Sequence, residues 1–252
     1  MKPIVRYSCL FVLVMVVSAI AHLPAQVVFT HLPLPTGLVI QGVDGTVWHG
    51  SAKQVRWQQQ NWGQVQWQWD WSALFTAKAQ LNVRFGRGSD KQVQGKGVVG
   101  YDFSGPFAEH MVLSLPAEQV QPYLRLPVPV SLQGQIELTL RHYRYQAPWC
   151  AQAEGVLAWT QSEIGTPLGK LELGPIMADL SCQQSVLTVH GSQQNKQMSS
   201  EFSAEVQADR RFSAQAWFKP GADFPTRLAE QLNYLPTPDG LGRYSFNQQG
   251  RF

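Results

Sequence analysis

Alternation of hydrophobic and polar residues is the dominant pattern along this chain of 252 residues. In residues 64–71, QVQWQWDW, the apolar side chains are Val65, Trp67, Trp69 and Trp71. Because successive side chains of a β-strand point to opposite faces, this spacing predicts a strand with one apolar face. That face is either part of the hydrophobic core or the wall of an apolar groove that contacts a sugar, a lipid or a partner strand.

The same alternation recurs in ten further segments, which glycine and proline separate. They begin near residues 38, 46, 81, 111, 136, 169, 185, 201, 211 and 243. Long helical patterns between them are missing, which argues against parallel β-α-β units. We therefore predict a mainly β fold. One N-terminal transmembrane helix precedes a large antiparallel sheet, curved or partly open, with one or two short helices.

Two segments of the body have helical character. Residues 116–124 begin with proline and carry a second proline near the end. Residues 226–235 place three leucines on one helix face, with Pro225 in the first turn and Asp223 as the predicted N-terminal cap.

A short L-P-x-P sequence occurs three times, at residues 32, 126 and 235. Each copy follows an apolar or helical segment and precedes a glycine and an alternating strand. This repetition predicts two β-modules, residues 30–125 and 126–252, and one continuous domain is the alternative.

The N-terminal part of the chain has the pattern of an export segment. Lys2 and Arg6 precede a long apolar run over residues 7–29. A secretory signal peptide would be cleaved after residues 19–21, Ala-Ile-Ala. An uncleaved signal anchor is favoured, because the run is longer than a signal peptide requires and its apolar character continues past that point. In both cases residues 1–6 stay in the cytoplasm and the rest of the chain is exported.

Charge adds little to this interpretation. Charged residues make up 15% of the chain, and the net charge is +3. The basic residues are scattered, and a run of five or more is missing. The sequence therefore does not favour a nucleic-acid partner.

Sequence motifs for catalysis are also missing. The six histidines are dispersed and do not follow the spacing of a zinc site. The chain contains neither the G-x-S-x-G pattern of a hydrolase nor a phosphate-binding glycine loop. We therefore predict that the protein is not an enzyme and has no catalytic residues, metal site or cofactor.

Two of the three cysteines, Cys150 and Cys182, lie in the exported body. An even number of cysteines in an oxidising compartment predicts a disulfide, and two free buried thiols are the alternative. Cys9 lies within the apolar run, where it is a small hydrophobic residue.

The segment GVDGTVWHG, residues 42–50, contains a hairpin signal at Asp44 and Gly45. It predicts that Trp48 lies on the following strand and points to the core. Gly50 would then allow a close backbone approach or a bulge. Neither a phosphate site nor a metal site fits the spacing of these residues.

Several segments occur in an order that is typical of one protein family. The first is GVDGTVWHGSA at 42–52, which carries a G-T-hydrophobic-W-x-G-x-A signature and contains Gly42, Gly45, Thr46, Trp48 and Gly50. The others are WSALF at 71–75, YLRLPVPVSLQGQIEL at 123–138, APWC at 147–150, GVLAWTQSEIGTPLGKLELG at 155–174, ADLSC at 178–182 and PDGLGRYSFNQQG at 238–250. In this order they resemble the type II (general) secretion pathway protein N family of Gram-negative bacteria.

That resemblance implies a single-pass inner-membrane protein with a cytoplasmic N-terminus and a periplasmic β-body. It implies contacts with other type II secretion components and no enzymatic activity. The signature and the repeated sheet also resemble AsmA-like inner-membrane proteins, which implies the alternative function of binding or transferring a lipid or another hydrophobic ligand.

Overall fold

The computed structural model describes residues 2–31, 35–123 and 129–251. Within these residues, thirteen strands form a single antiparallel sheet. The strands are β1 Leu38–Gly45, β2 His49–Trp57, β3 Gln60–Trp69, β4 Ala79–Arg87, β5 Gln94–Asp102, β6 Gly105–Pro116, β7 Ser131–Arg144, β8 Gln152–Thr166, β9 Gly169–Gln183, β10 Val186–Gln194, β11 Met198–Val206, β12 Arg211–Pro220 and β13 Tyr244–Arg251.

The strands follow one another in the sheet in the order of the sequence. Each strand pairs with the one before it and the one after it, so β1 and β13 are the two edges. The prediction of a mainly β, antiparallel and open sheet is confirmed.

The two predicted modules share this sheet, because β6 pairs with β7 from Phe107 to Pro116. Their boundary at residues 125 and 126 lies outside the described residues. Most residues of the L-P-x-P copies at 32 and 126 also lie outside the described residues.

One face of the sheet is apolar across its whole width. A row of residues that are paired directly from strand to strand crosses all thirteen strands without a charged or hydrogen-bonding side chain. From β1 to β13 the row is Val43, Ala52, Val65, Phe85, Gly95, Leu113, Leu138, Leu157, Ala178, Gly191, Phe202, Ala216 and Phe246.

The opposite face is polar. A parallel row there is interrupted only by Val112 and Val156. Its other members are Asp44, Ser51, Gln66, Arg84, Lys96, Thr139, Asp179, His190, Ser203, Gln215 and Asn247. The alternation in the sequence therefore becomes two chemically distinct faces.

The chain exposes more surface than a compact monomer of its size, and the exposed side chains of residues 10–17 contribute to the excess. The accessible surface is 17018 Å², whereas a compact monomer of 28.2 kDa would expose about 11,000 Å². Small buried clusters form where loops and short helices pack on the apolar face. One surrounds Cys150 and Cys182, and another contains Leu173, Ile176 and Met198.

The described ranges also contain three α-helices: α1 Lys2–Ala21, α2 Ala25–His31 and α3 Thr226–Gln231. The predicted apolar segment 7–29 is divided between α1 and α2, because the chain is not helical between Ala21 and Ala25. Pro24 disfavours a helical conformation at the residue before it. Among the residues that the structure describes, no helix combines the length and hydrophobicity needed to cross a membrane.

The helices of the body are shorter than predicted. The described part of the predicted segment 116–124 contains two 3₁₀ turns, Ala117–Gln119 and Gln121–Tyr123, because proline cannot donate a backbone hydrogen bond. The prediction that Asp223 caps the later helix is wrong. Pro225 occupies the N-cap position of α3 and forms no side-chain cap bond.

Candidate functional site

The family-signature segment contacts the end of the N-terminal helix. The indole Nε1 of Trp48 donates a hydrogen bond of 2.8 Å to the carbonyl oxygen of Ile20 in α1. The backbone N–H of Val47 donates to the carbonyl oxygen of Leu23 at 3.1 Å, and Thr46 forms an isolated antiparallel bridge with Pro24. These bonds hold the end of α1 against the turn between β1 and β2.

Trp48 lies in that turn, so the prediction that it belongs to the following strand is wrong. Strand β2 begins at His49. Thr46 and His49 close the turn with two hydrogen bonds, one donated by each residue. The Thr46 N–H donates to the His49 carbonyl oxygen at 2.9 Å, and the His49 N–H donates to the Thr46 hydroxyl at 3.1 Å. This local bonding leaves Trp48 at the tip, where it reaches α1.

The two glycines at the start of the signature belong to β1. Gly42 has φ +64° and Gly45 has φ +87°, values that favour glycine. The Asp44 carboxylate accepts a hydrogen bond of 2.8 Å from the Gly45 N–H. The predicted turn at Asp44 and Gly45 is therefore displaced to the next three residues, and the glycines bend the end of the strand instead.

Gly50 provides room for the ring of Trp67. A Cβ atom at position 50 would lie 2.6 Å from Cζ2 of Trp67. The indole Nε1 of Trp67 donates to the carbonyl oxygen of Val47 at 3.0 Å, and its ring meets Phe29 of α2 edge-on, with the ring centroids 5.6 Å apart. Helix α2 therefore covers the apolar face near β2 and β3.

The predicted apolar face of β3 contains Val65, Trp67 and Trp69, but not Trp71. Their cross-strand partners in β4 are all apolar. Strand β3 ends at Trp69 because the Asp70 carboxylate accepts a hydrogen bond of 3.0 Å from the Ser72 N–H and begins a 3₁₀ helix. Trp71 therefore leaves the strand, and 52% of its surface is exposed.

Trp48, Trp69 and Trp71 form an aromatic cluster near the end of α1. The ring centroids of Trp48 lie 5.6 Å from Trp69 and 4.6 Å from Trp71. The buried Nε1 of Trp69 has no hydrogen-bond partner among the described residues. The cluster connects the apolar face of the sheet to the junction with the N-terminal helix.

Cys150 and Cys182 form a disulfide on the same apolar face. Both residues are buried. Ala153 is buried with them, and Tyr143, Trp149 and Leu187 pack against the pair. The disulfide therefore joins the connection before β8 to the end of β9.

The polar face contains an open cleft of about 740 Å³ over the first six strands. Arg84 and Lys96 are direct cross-strand partners in it, and neither side chain forms a hydrogen bond or ion pair with another described residue. Asp44, His49 and His110 also line the cleft. Sequence reasoning missed this pairing, because strand polarity is visible in the sequence but strand register is not.

A bidentate ion pair joins the ends of β5 and β7. Arg144 donates to the two carboxylate oxygens of Asp102 at 2.7 and 2.9 Å. The hydrogen bond from Arg144 lowers the pKa of Asp102 from 3.8 to about 2. The guanidinium of Arg144 also lies 5.7 Å from the ring centre of Phe107, and Lys78 lies 5.1 Å from the same ring.

Replacing Asp102 by asparagine is expected to remove a pH-dependent part of the stability. Because the pKa is lowered in the folded state, Asp102 contributes stability above its unfolded value of 3.8 and loses it as pH falls toward about 2. Urea unfolding gives the free energy of unfolding of the wild type and of Asp102→Asn. The difference between the two values should shrink as the pH is lowered from about 5 to about 2. Asp223→Asn is the control, because the Asp223 side chain is exposed and unbonded within the described chain. A difference that stays constant with pH would contradict this prediction.

The described ranges bring together no group of three or more histidine, cysteine, aspartate or glutamate side chains that could hold a metal ion. The described residues offer an apolar face, a polar cleft and two strand edges with free backbone groups.

Comparison with known proteins relates this arrangement to one family. Residues 36–247 match the family described as "Type II secretion system (T2SS), protein N". The matched range begins just before β1 and ends within β13, so it covers the first twelve strands and the first half of the last.

Individual relatives match over all or most of their length. A protein named type II secretion system protein N from Vibrio cholerae is 51% identical over 251 residues and covers 100% of both chains. Proteins of the same name from Aeromonas hydrophila and Pectobacterium carotovorum are 32% and 27% identical, and they cover 100% and 92% of this chain and 100% and 90% of their own. No solved structure matches the chain significantly.

Proposed function

Because the chain belongs to the type II secretion system protein N family, we propose that it is an accessory component of this system and acts through protein contacts. The observation that carries this proposal is the identity of 51% over the full length to a relative of that name. We propose no catalytic role and no cofactor. The contacts would help the system to export folded proteins from the periplasm across the outer membrane.

We propose that α1 anchors the protein in the inner membrane with its N-terminus in the cytoplasm. Two observations support this. Lys2 and Arg6 lie at the start of α1, where the positive-inside rule expects them. The side chains from Leu10 to Val17 expose between 50% and 66% of their surface, so the sheet does not bury them. The body would then lie in the periplasm as one continuous sheet domain.

Free strand edges offer a route to the proposed protein contacts. Both β1 and β13 carry unpaired backbone groups along one side. In β13, Arg251 is the only charged residue and proline is missing, so the edge lacks two common protections against strand addition. Other secretion components in the inner membrane and periplasm are the proposed partners.

A second candidate function rests on the apolar row across all thirteen strands. A row of this length without a charged side chain is suited to hold an acyl chain or another hydrophobic ligand. We therefore keep lipid binding as the alternative to protein contact.

One experiment in living cells tests both candidates. A photo-crosslinking amino acid is placed at Ser203 or at Ala204, which are neighbours on β11 but lie on the polar and the apolar face. A third variant carries it at Asn247 on the edge strand β13. After irradiation, mass spectrometry identifies the protein and lipid adducts of the full chain in membranes.

The accessory function predicts adducts with other secretion components at Asn247 or Ser203. It also predicts a loss of substrate export when the gene is deleted and recovery when it is restored. Lipid adducts at Ala204 but not at Ser203 would favour the second candidate. Unchanged export in the deletion strain, with no secretion component crosslinked from any position, would refute the accessory function.

A further inference from the structure

Four connections of the first eight strands lie at one end of the sheet. Because neighbouring strands run in opposite directions, the connections after β1, β3, β5 and β7 all emerge at the same end. We call this end the α1 rim, and it comprises residues 46–48, 70–78, 101–104 and 145–151. Helix α1 ends at the first of these connections, where the indole of Trp48 bonds to Ile20.

The α1 rim exposes large apolar and aromatic side chains. Phe75 and Phe103 each expose 95% of their surface, so they have almost no contact with the rest of the chain. The connections that carry them are separated by two strands, or roughly 10 Å at the usual strand spacing. Four further side chains at the α1 rim are also exposed: Trp71, Leu74, Tyr101 and Tyr145.

Two ion pairs lie beside these side chains, and the Asp70 carboxylate accepts hydrogen bonds from the backbone and hydroxyl of Ser72 and from the Gln80 amide. Arg144 and Asp102 form the bidentate pair described above. Lys78 forms an ion pair of 3.1 Å with Glu109. Pairing lowers the cost of bringing charged groups close to a medium of low polarity, because each charge keeps its partner when water is removed.

We infer that the α1 rim rests in the interfacial layer of the same bilayer that holds α1, with Phe75 and Phe103 inserted among the lipids. This inference rests on the proposed membrane anchoring. Aromatic side chains favour the membrane interface, and apolar side chains of peripheral proteins enter it by about 5–10 Å. The rim continues the exposed apolar surface of α1 at the point where that helix ends, and this continuity selects a bilayer rather than a partner protein.

The opposite end of the sheet does not share this continuity. Its exposed large side chains include Tyr123, Tyr234 and Leu241, which lie on the connections after β6 and β12. Helix α1 does not contact those connections through any bond among the described residues. Tyr234 exposes 84% of its surface and therefore provides a matched control for Phe75.

The test uses the full chain with Cys9→Ser. Because Cys150 and Cys182 are bonded to each other, an introduced cysteine is then the only free thiol that the label can modify. Separate variants carry Phe75→Cys, Phe103→Cys, Tyr234→Cys or Val14→Cys, and each is labelled with a polarity-sensitive fluorophore. The proteins are reconstituted in vesicles of phosphatidylethanolamine and phosphatidylglycerol. The vesicles contain lipids that carry a spin-label quencher either near the glycerol or near the end of the acyl chain.

The expected result is quenching at positions 75 and 103 that is about twofold stronger with the shallow quencher than with the deep one, as insertion at the interface requires. A fluorophore at position 234 should not be quenched by either lipid, because it is expected to lie in water. Position 14 reports on the anchor itself and should be quenched. Because the two phenylalanines have almost no internal contacts, their replacement leaves the packing of the sheet intact.

Three results would overturn the inference, and the first two differ in what they say about the anchor. If position 14 is quenched while positions 75 and 103 behave like position 234, the rim does not touch the bilayer and the anchor stands. If position 14 is not quenched, the proposed anchoring fails and the inference fails with it. Blue-shifted emission at position 75 without quenching would assign the rim to a protein contact and would also overturn the inference.

Discussion

Replacing Ala178 by aspartate is expected to lower the free energy of unfolding by about 3–5 kcal/mol, the range for an uncompensated buried charge. Ala178 lies in the middle of the apolar row, 2% exposed, between its cross-strand partners Leu157 and Gly191. The space there is small, because a Cβ atom at Gly191 would already lie 2.7 Å from the Cβ of Ala178. The carboxylate would lose its water without gaining a partner.

Met177→Asp is the matched control for this prediction. Met177 is the preceding residue on the same strand, points to the polar face and exposes 51% of its surface. Its replacement is expected to change stability by less than about 0.5 kcal/mol, as exposed substitutions generally do. Urea unfolding followed by circular dichroism compares the two variants. Equal destabilisation by both substitutions would contradict the division of the sheet into an apolar and a polar face.

Removal of the disulfide is expected to destabilise the protein by about 3–4 kcal/mol in the loop-entropy account. Cys150 and Cys182 are separated by 32 residues, and the covalent link restricts that loop in the unfolded chain. The double variant Cys150→Ala/Cys182→Ala keeps the buried cluster apolar, so the loss of the link is the main change. The midpoint of guanidinium unfolding measures the effect.

Reductant provides an independent comparison for this prediction. Treatment of the wild type with dithiothreitol should move its unfolding midpoint toward that of the double variant, while the double variant itself should not respond. Cys9→Ala is the control, because Cys9 is not part of the disulfide. A wild-type midpoint that reductant leaves unchanged would show that the link contributes no measurable stability.

Strand identity could be predicted from the sequence because the signal is local. A residue and its second neighbour lie on the same face of a strand, so the alternation in residues 64–69 already defines the face that contains Val65, Trp67 and Trp69. The antiparallel sheet could be predicted as well, because long helical patterns between the strands are missing from the sequence.

The two errors in strand boundaries occurred where a polar side chain bonds to nearby backbone. Asp70 accepts from Ser72 and ends β3 before Trp71, and Thr46 pairs with His49 and places Trp48 in a turn. Aspartate and threonine frequently form such bonds at turns, but the alternation of hydrophobic residues continues through them in the sequence. Hydrophobic periodicity alone therefore extended both strands too far.

The sequence by itself determined the strand periodicity, the apolar and polar faces of each strand and the apolar N-terminal segment, because each of these depends on residues that are close in the chain. It also determined the family, because the family depends on the order of the segments along the chain. The tertiary structure decided the order of the strands in the sheet and their register. Only these place Arg84 opposite Lys96 and align one apolar row across thirteen strands. The structure also gathered Phe75 and Phe103 at the end of the sheet from which α1 leaves, because antiparallel strands return every second connection to the same end.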